Sequence, residues 1–340
     1  MSEEPNNALN CRSLRSLDVQ KLRFWPPVSL IVMQSHSNHQ PRINQMTKML
    51  ENQNVPFDEA KRKKILNEIK AEISRIRNYT PKVAIFGDTG VGKSSLCNAL
   101  FGKEIAEISD VEACTRVPQE ILLSGDGHGI TLIDVPGIGE DPKRHAEYRE
   151  LYKSLLPGLD LVIWAIKADD RKYASSIEVY QDILKPNLDK CPVIFVVTQA
   201  DKIEPHRKWN EVENKPGDEQ VANLAIKIND ISSRFDVSTN KVVAVSANDS
   251  WNLVELVNKV VEILPNEKKY AFTREAKEEN VSEEAAKTAE IGIFEAIKEK
   301  AGEAWDFIKY EVAEVVVDKV KEYAPIIAKK AASWLKNLWK

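Results

Sequence analysis

Gly87-Asp88-Thr89-Gly90-Val91-Gly92-Lys93-Ser94 decides how the rest of the chain is read. The eight residues fit G-x-x-x-x-G-K-[ST]. They stand between an apolar run, Val83-Ala84-Ile85-Phe86, and a helix-like run, Ser95-Leu96-Cys97-Asn98-Ala99-Leu100. The glycines let such a loop wrap until its backbone N–H groups converge on phosphate oxygens. The helix that follows turns its positive N-terminus toward the same charge. In that arrangement Lys93 reaches the β- and γ-phosphates and Ser94 coordinates Mg²⁺, with Ser95 beside them. A glycine-rich turn without a ligand is the plainer alternative, and the strand–loop–helix context argues against it.

Outward from the loop, apolar runs alternate with longer helical patterns from Lys82 to about Pro265. Val83–Phe86, Ile130–Ile133, Leu161–Trp164, Val193–Val197 and Val242–Val245 read as buried strands. Their unbroken hydrophobicity suits a mostly parallel sheet covered on both faces. Residues 81–265 are therefore predicted to form a three-layer α/β/α sandwich of right-handed crossovers. Gln119-Glu120-Ile121-Leu122-Leu123, followed by Gly125-Asp126-Gly127, reads as an antiparallel edge strand turning into Ile130.

Four further motifs lie along that frame. Asp134-Val135-Pro136-Gly137 ends a strand, which points to Asp134 as a carboxylate touching the metal through water and to the Gly137 N–H as a γ-phosphate contact. Upstream, Ala113-Cys114-Thr115-Arg116 falls in a loop long enough to act as a mobile switch, where Thr115 can close on Mg²⁺. Base choice rests on Thr198-Gln199-Ala200-Asp201-Lys202, directly after the strand Val193–Val197. A carboxylate at Asp201 accepts hydrogen bonds from N1–H and the 2-amino group of guanine. Adenine offers neither donor, and a charged acceptor left unpaired in a site costs on the order of several kcal/mol. Ser246-Ala247-Asn248 ends the last strand, where a backbone N–H can meet the guanine O6.

These motifs resemble those of the translation-factor-related P-loop GTPases, the class that holds Era, septins and the immunity-related GTPases. The likeness is greatest to bacterial Era-like GTPases of the 50S-ribosome-binding type, some of them found in prophage remnants. It is carried by Gly87–Gly102, by residues 113–116, by Asp134–Gly139, by Trp164-Ala165-Ile166-Lys167-Ala168-Asp169-Asp170-Arg171 and by Val197–Lys202. The resemblance covers about residues 80–265. It implies a GTP- and GDP-binding protein that uses Mg²⁺, hydrolyses GTP and switches between nucleotide states.

Two departures bear on that expectation. The family's base-reading motif is Asn-Lys-x-Asp, and Thr198-Gln199 replaces Asn-Lys; threonine is also used in dynamin-like and immunity-related relatives. The residue after Gly137 is Ile138, where Ras-like enzymes carry a catalytic glutamine, and isoleucine cannot orient water by hydrogen bonding. No catalytic residue is assigned. Gly90 stands where potassium-activated relatives carry Asn, so no potassium stimulation is expected. A GTP-binding protein with negligible turnover stays open, as does a dynamin-like protein that assembles as a nucleotide-dependent homodimer on membranes.

The flanks are simpler. Of 340 residues, 43% are hydrophobic and 29% charged, ordinary for a globular protein with a core to bury. A net charge of −4 gives no global argument for nucleic acid, and no DNA partner is expected. Cys11, Cys97, Cys114 and Cys191 stand far apart, which argues against structural zinc and a disulfide framework and for a reducing cytosol. No stretch approaches the length of a transmembrane helix.

Residues 1–45 read as a disordered tail, with Met46 a plausible native start, and residues 46–80 as a helical extension. Its apolar stripe is Ile65, Ile69, Ile73 and Ile76. Residues 266–340 read as a C-terminal helical region. Its last stretch, from Pro325, sets Lys329, Lys330, Lys336 and Lys340 beside Trp334, Leu335, Leu338 and Trp339. Such a helix can lie on an anionic membrane surface or pack on its neighbours. The expected location is cytoplasmic, peripheral at the inner membrane face if that helix binds lipid. Ribosome contact is the other partner implied. His128, His145 and His206 read as loop histidines, and Asp169-Asp170-Arg171-Lys172 as a solvated helix start or a dimer contact.

Overall fold

The computed structural model describes residues 59–102, 119–125, 128–134, 145–171, 173–302 and 305. Its strands are β1 (Lys82–Phe86), β2 (Gln119–Gly125), β3 (His128–Asp134), β4 (Leu161–Lys167), β5 (Val193–Thr198) and β6 (Val242–Ala244). They form one sheet in the order β2-β3-β1-β4-β5-β6. Every neighbouring pair is parallel except the hairpin of β2 with β3, which pairs Gln119 with Asp134 and Gly125 with His128. The hairpin runs further than the alternation suggests, so His128 is a strand residue rather than a loop histidine.

Among the described residues the α-helices are α1 (Glu59–Arg77), α2 (Lys93–Phe101), α3 (His145–Leu155), α4 (Ala174–Val179), α5 (Asp218–Phe235), α6 (Leu253–Ile263), α7 (Asn266–Glu275) and α8 (Glu283–Ala301). All belong to one unit with the sheet. Because side chains alternate along a strand, each strand feeds two cores. Ala84, Phe86, Val162, Trp164, Ile166, Phe195 and Val197 point to the face covered by α3, α4 and α5. There Trp164 stacks on Phe195 at 5.9 Å and meets Tyr180 and Phe86 edge-on at 6.2 and 5.7 Å. Val83, Ile85, Leu132, Ile163, Ile194 and Val196 point to the other face, with Leu96 and Leu100 of α2 and Leu256, Val257 and Val260 of α6.

The helices at the chain's two flanks extend that second core. Ile69, Ile73 and Ile76 of α1 are at most 5% exposed and join Tyr270, Phe272, Ile293 and Ile297 of α7 and α8. Each such side chain contributes roughly 1.5–3 kcal/mol of burial, so the isoleucine stripe serves docking. Polar contacts fix the angle: Arg274 of α7 donates to the carbonyls of Arg77 and Tyr79, and Lys300 of α8 pairs with Glu72 of α1. Ser282 caps α8 by accepting from the Ala285 N–H at 2.9 Å. No helix among the described residues is long and apolar enough to cross a membrane. The N-terminal tail, Thr115, Gly137, Ile138 and the basic segment from Pro325 lie outside the described residues.

Candidate nucleotide-binding site

In an open parallel sheet the loops after the strands' carboxyl ends share one rim, and ligands bind there. The loop after β1 is Gly87–Gly92. Gly87, Gly90 and Gly92 have φ of +144°, +79° and +89°, a backbone that L-residues adopt only with strain. At Gly87 space forbids a side chain as well, because a Cβ would overlap the Ala165 carbonyl oxygen of β4. Gly92 then caps α2 without a side-chain cap bond of its own, and the N–H groups at the start of a helix are suited to an anion. Lys93 Nζ folds across the loop, donating to the carbonyls of Gly87 at 3.0 Å and Asp88 at 3.3 Å. Thr89 is exposed, Val91 is buried, and Ser94 follows Lys93 in the first turn of α2.

The loop after β5 grips the same structure from the other side. Thr198, 3% exposed, donates from Oγ1 to the Val91 carbonyl at 2.6 Å. Gln199, in the left-handed region at φ +54°, donates from Nε2 to the Gly90 carbonyl at 3.1 Å, and its Oε1 accepts from Lys202 Nζ at 3.2 Å. The two residues that replace Asn-Lys therefore hold the phosphate loop with their side chains. Thr198 faces inward, with its hydroxyl turned to the Val91 carbonyl.

Asp201 is half-buried, and its Oδ1 accepts from Ser246 Oγ at 2.7 Å. Ser246 is fully buried two residues beyond β6, with Ala247 half-buried and Asn248 exposed after it. Two backbone bonds between Ser246 and Trp251 close this second loop. Trp251 meets Trp209 edge-on at 5.6 Å. Asp201 thus stands on the same rim as the phosphate loop, linked to it through Gln199 and Thr198.

Several residues here escaped sequence reasoning. Asp249 Oδ2 lies 2.6 Å from Ser246 Oγ, so one hydroxyl hydrogen stands between two carboxylates and can serve only one at a time. Asn214 holds the Asp249 carbonyl at 2.6 Å. Gln220, wholly buried, donates to the Ile203 carbonyl at 3.1 Å and accepts from the Gly217 N–H at 3.2 Å. Of these, only Gln220 left a legible trace, as the third residue of a helix with its partner at the cap. The Asp169-Asp170-Arg171 stretch is a turn rather than a helix start. Lys167 pairs with Asp169 at 3.1 Å, and buried Lys227 of α5 donates to the Asp170 carbonyl. Burial lowers the Lys227 pKa, opposed by Asp170 and Asp230. His206 stands 3.1 Å from Glu204, and His145 opens α3.

The residues suit Mg²⁺ with a nucleotide phosphate. Asp134 is the last residue of β3 and pairs with Ile85, which sets it beside the root of the glycine loop, and Ser94 opens the neighbouring helix. Oxygen donors of this kind, completed by phosphate and water, match a hard cation.

The family model described as 50S ribosome-binding GTPase matches residues 82–199. The YfjP protein of Escherichia coli (strain K12) is 38% identical over 203 residues, 60% of this chain and 69% of that protein. YkfA of the same organism is 40% identical over 196 residues, 58% of this chain and 66% of that protein. GTPase Era of Aquifex aeolicus (strain VF5) is 31% identical over 194 residues, covering 54% of this chain and 56% of Era. The chain therefore spans little more than half of Era's length. With the glycine loop, the strand order and these relatives together, the chain belongs to the Era-like, 50S ribosome-binding type of P-loop GTPases.

Proposed function

We propose that this protein binds GTP and GDP with Mg²⁺ and hydrolyses GTP to GDP and phosphate, working as a nucleotide-dependent switch. The observation that carries the reading is the union of a phosphate loop and a base-reading carboxylate in one hydrogen-bonded rim, through Thr198–Val91 and Gln199–Gly90. In this reading Gly87–Gly92 and the first turn of α2 hold the phosphates, Lys93 leaves its loop carbonyls for the β- and γ-phosphates, and Ser94, Thr115 and Asp134 face the metal. Bound Mg²⁺ would neutralise charge on the β- and γ-oxygens. Asp201 reads N1–H and the 2-amino group of guanine while the Ser246 hydroxyl donates to its carboxylate. The loops around Thr115 and Gly137 change with the γ-phosphate and alter affinity for a partner. The family description makes the ribosome the first partner to test.

Ile138 favours a second reading, a protein that binds GTP with negligible turnover until a partner or a second copy supplies the missing group. A nucleotide-dependent homodimer of the dynamin-like kind, held at a membrane by the basic segment from Pro325, is a form of that reading. Calorimetry with GDP, GTP and ADP, with and without Mg²⁺, tests binding. Turnover across protein concentration, with ribosomes and with anionic liposomes, separates the readings. Mg²⁺-dependent binding of GDP over ADP is expected; equal retention of ADP overturns the assignment of Asp201.

A further inference from the structure

Helix α2 carries Lys93 and Ser94 in its first turn, and distant residues close its last turn. Gly102 N–H donates to the Asn98 carbonyl at 3.0 Å. The next two carbonyls have no donor available within the helix. Asn280 Nδ2 supplies one to Ala99 at 2.8 Å, with Leu100 at 3.5 Å, and the Lys277 N–H supplies another to Leu100 at 2.8 Å. Asn280 is 4% exposed. The Lys277 methylenes pack on Gly102, where an added Cβ would come within 2.9 Å of Cε.

Lys277 and Asn280 form the bend between α7 and α8. The C-terminal helices therefore hold one end of a nine-residue helix, and the candidate phosphate site is its other end, about 13 Å away. Leu96, Cys97, Leu100 and Phe101 are buried along it. A packed helix of two and a half turns transmits a shift of one end to the other better than it bends.

We propose that the bend Lys277–Asn280 positions the phosphate-binding helix, so that nucleotide at one end of α2 and the α7–α8 packing at the other are thermodynamically linked. The proposal rests on the nucleotide-binding reading above and names a control element for that site. Linkage is reciprocal: what the bend does for nucleotide affinity, bound nucleotide does for the bend.

The test has two arms on the full chain. In the first, hydrogen exchange of the wild-type protein with and without GDP should show the Lys277 amide slowed several-fold by GDP. In the second, calorimetry compares variants. Asn280→Ala should weaken GDP about five- to tenfold, in the usual range of coupling between sites. The ratio of GDP to inosine diphosphate affinity, set by Asp201, should not move. A merely structural lesion would instead lower the fraction of binding-competent protein.

Lys277→Pro guards against misfolding of the first variant. Lys277 sits at φ −54°, ψ 140° and Ala276 at φ −66°, ψ 146°, both compatible with proline at 277, so the substitution removes the N–H with the backbone already in place. It should weaken GDP in the same way, whereas Lys277→Ala, which keeps the N–H and loses only the methylene packing, should weaken GDP less than the proline variant. Wild-type protein that binds GDP with no change at the Lys277 amide, together with variants of unaltered affinity, overturns the linkage alone. Wild-type protein that binds no GDP overturns the nucleotide-binding reading with it.

Discussion

Thr198→Val gives the most direct check on how the site is held together. Valine matches threonine in shape, so the buried position keeps its packing and loses only a donor. The bond removed is the 2.6 Å contact from Oγ1 to the Val91 carbonyl, inside the glycine loop. Losing a buried bond and leaving its acceptor unpaired costs about 1–3 kcal/mol. Part of that falls on folding. The rest falls on nucleotide binding, because a loop freed from β5 can turn the Val91 carbonyl to water and must be re-ordered around phosphate. About 1.4 kcal/mol on the binding side is a tenfold loss of affinity.

Stopped-flow displacement of a fluorescent GDP analogue, with calorimetry for the equilibrium constant, reads the effect directly. Faster dissociation with little change in association is expected, and Thr198→Ser, which keeps the hydroxyl, should stay near wild type. A valine variant that binds GDP within twofold of wild type would refute the tether.

Gly87→Ala should abolish nucleotide binding, since φ +144° and the Ala165 carbonyl leave no room for a methyl group; circular dichroism with calorimetry would show whether fold and binding are lost together. Asp201→Asn should shift preference from GDP toward xanthosine diphosphate, because the new amide donates where the carboxylate accepted; competition binding reads it, and an unshifted preference removes Asp201 from base recognition. Burial raises the Glu290 carboxyl from 4.5 to about 7, with Arg77 pulling the other way. The folded state therefore keeps a proton that the unfolded chain has released, and stability declines as pH rises from about 4.5 to 7. Glu290→Gln should remove that slope and add on the order of 2 kcal/mol at pH 8, measured by urea unfolding at pH 5 and 8. Equal slopes in both proteins would sink this account.

The sheet was legible because its strands are short apolar runs bounded by loop motifs, and each strand-like run named from sequence is a strand with its ends within three residues of those named. Period-two alternation hidden inside those runs sorts their side chains onto two faces, which continuous hydrophobicity does not display. The phosphate loop was legible for a chemical reason, since three glycines at fixed places have few other uses. The work of Thr198 and Gln199 was not. Sequence placed them next to Asp201, the residue expected to read the base, as binding residues, and only the structure shows that both reach carbonyls of the glycine loop more than a hundred residues earlier. Asp249 and Asn280 carried no signal, because each acts through one long-range contact made by an ordinary polar side chain.

Helix α1 finds its partners at the opposite flank of the described chain. Its isoleucines meet Ile293 and Ile297, more than two hundred positions later. During synthesis, at 5–20 residues per second, that stripe must wait on the order of ten to forty seconds for its cover. Until then the stripe stays open to water and to any other apolar surface it meets.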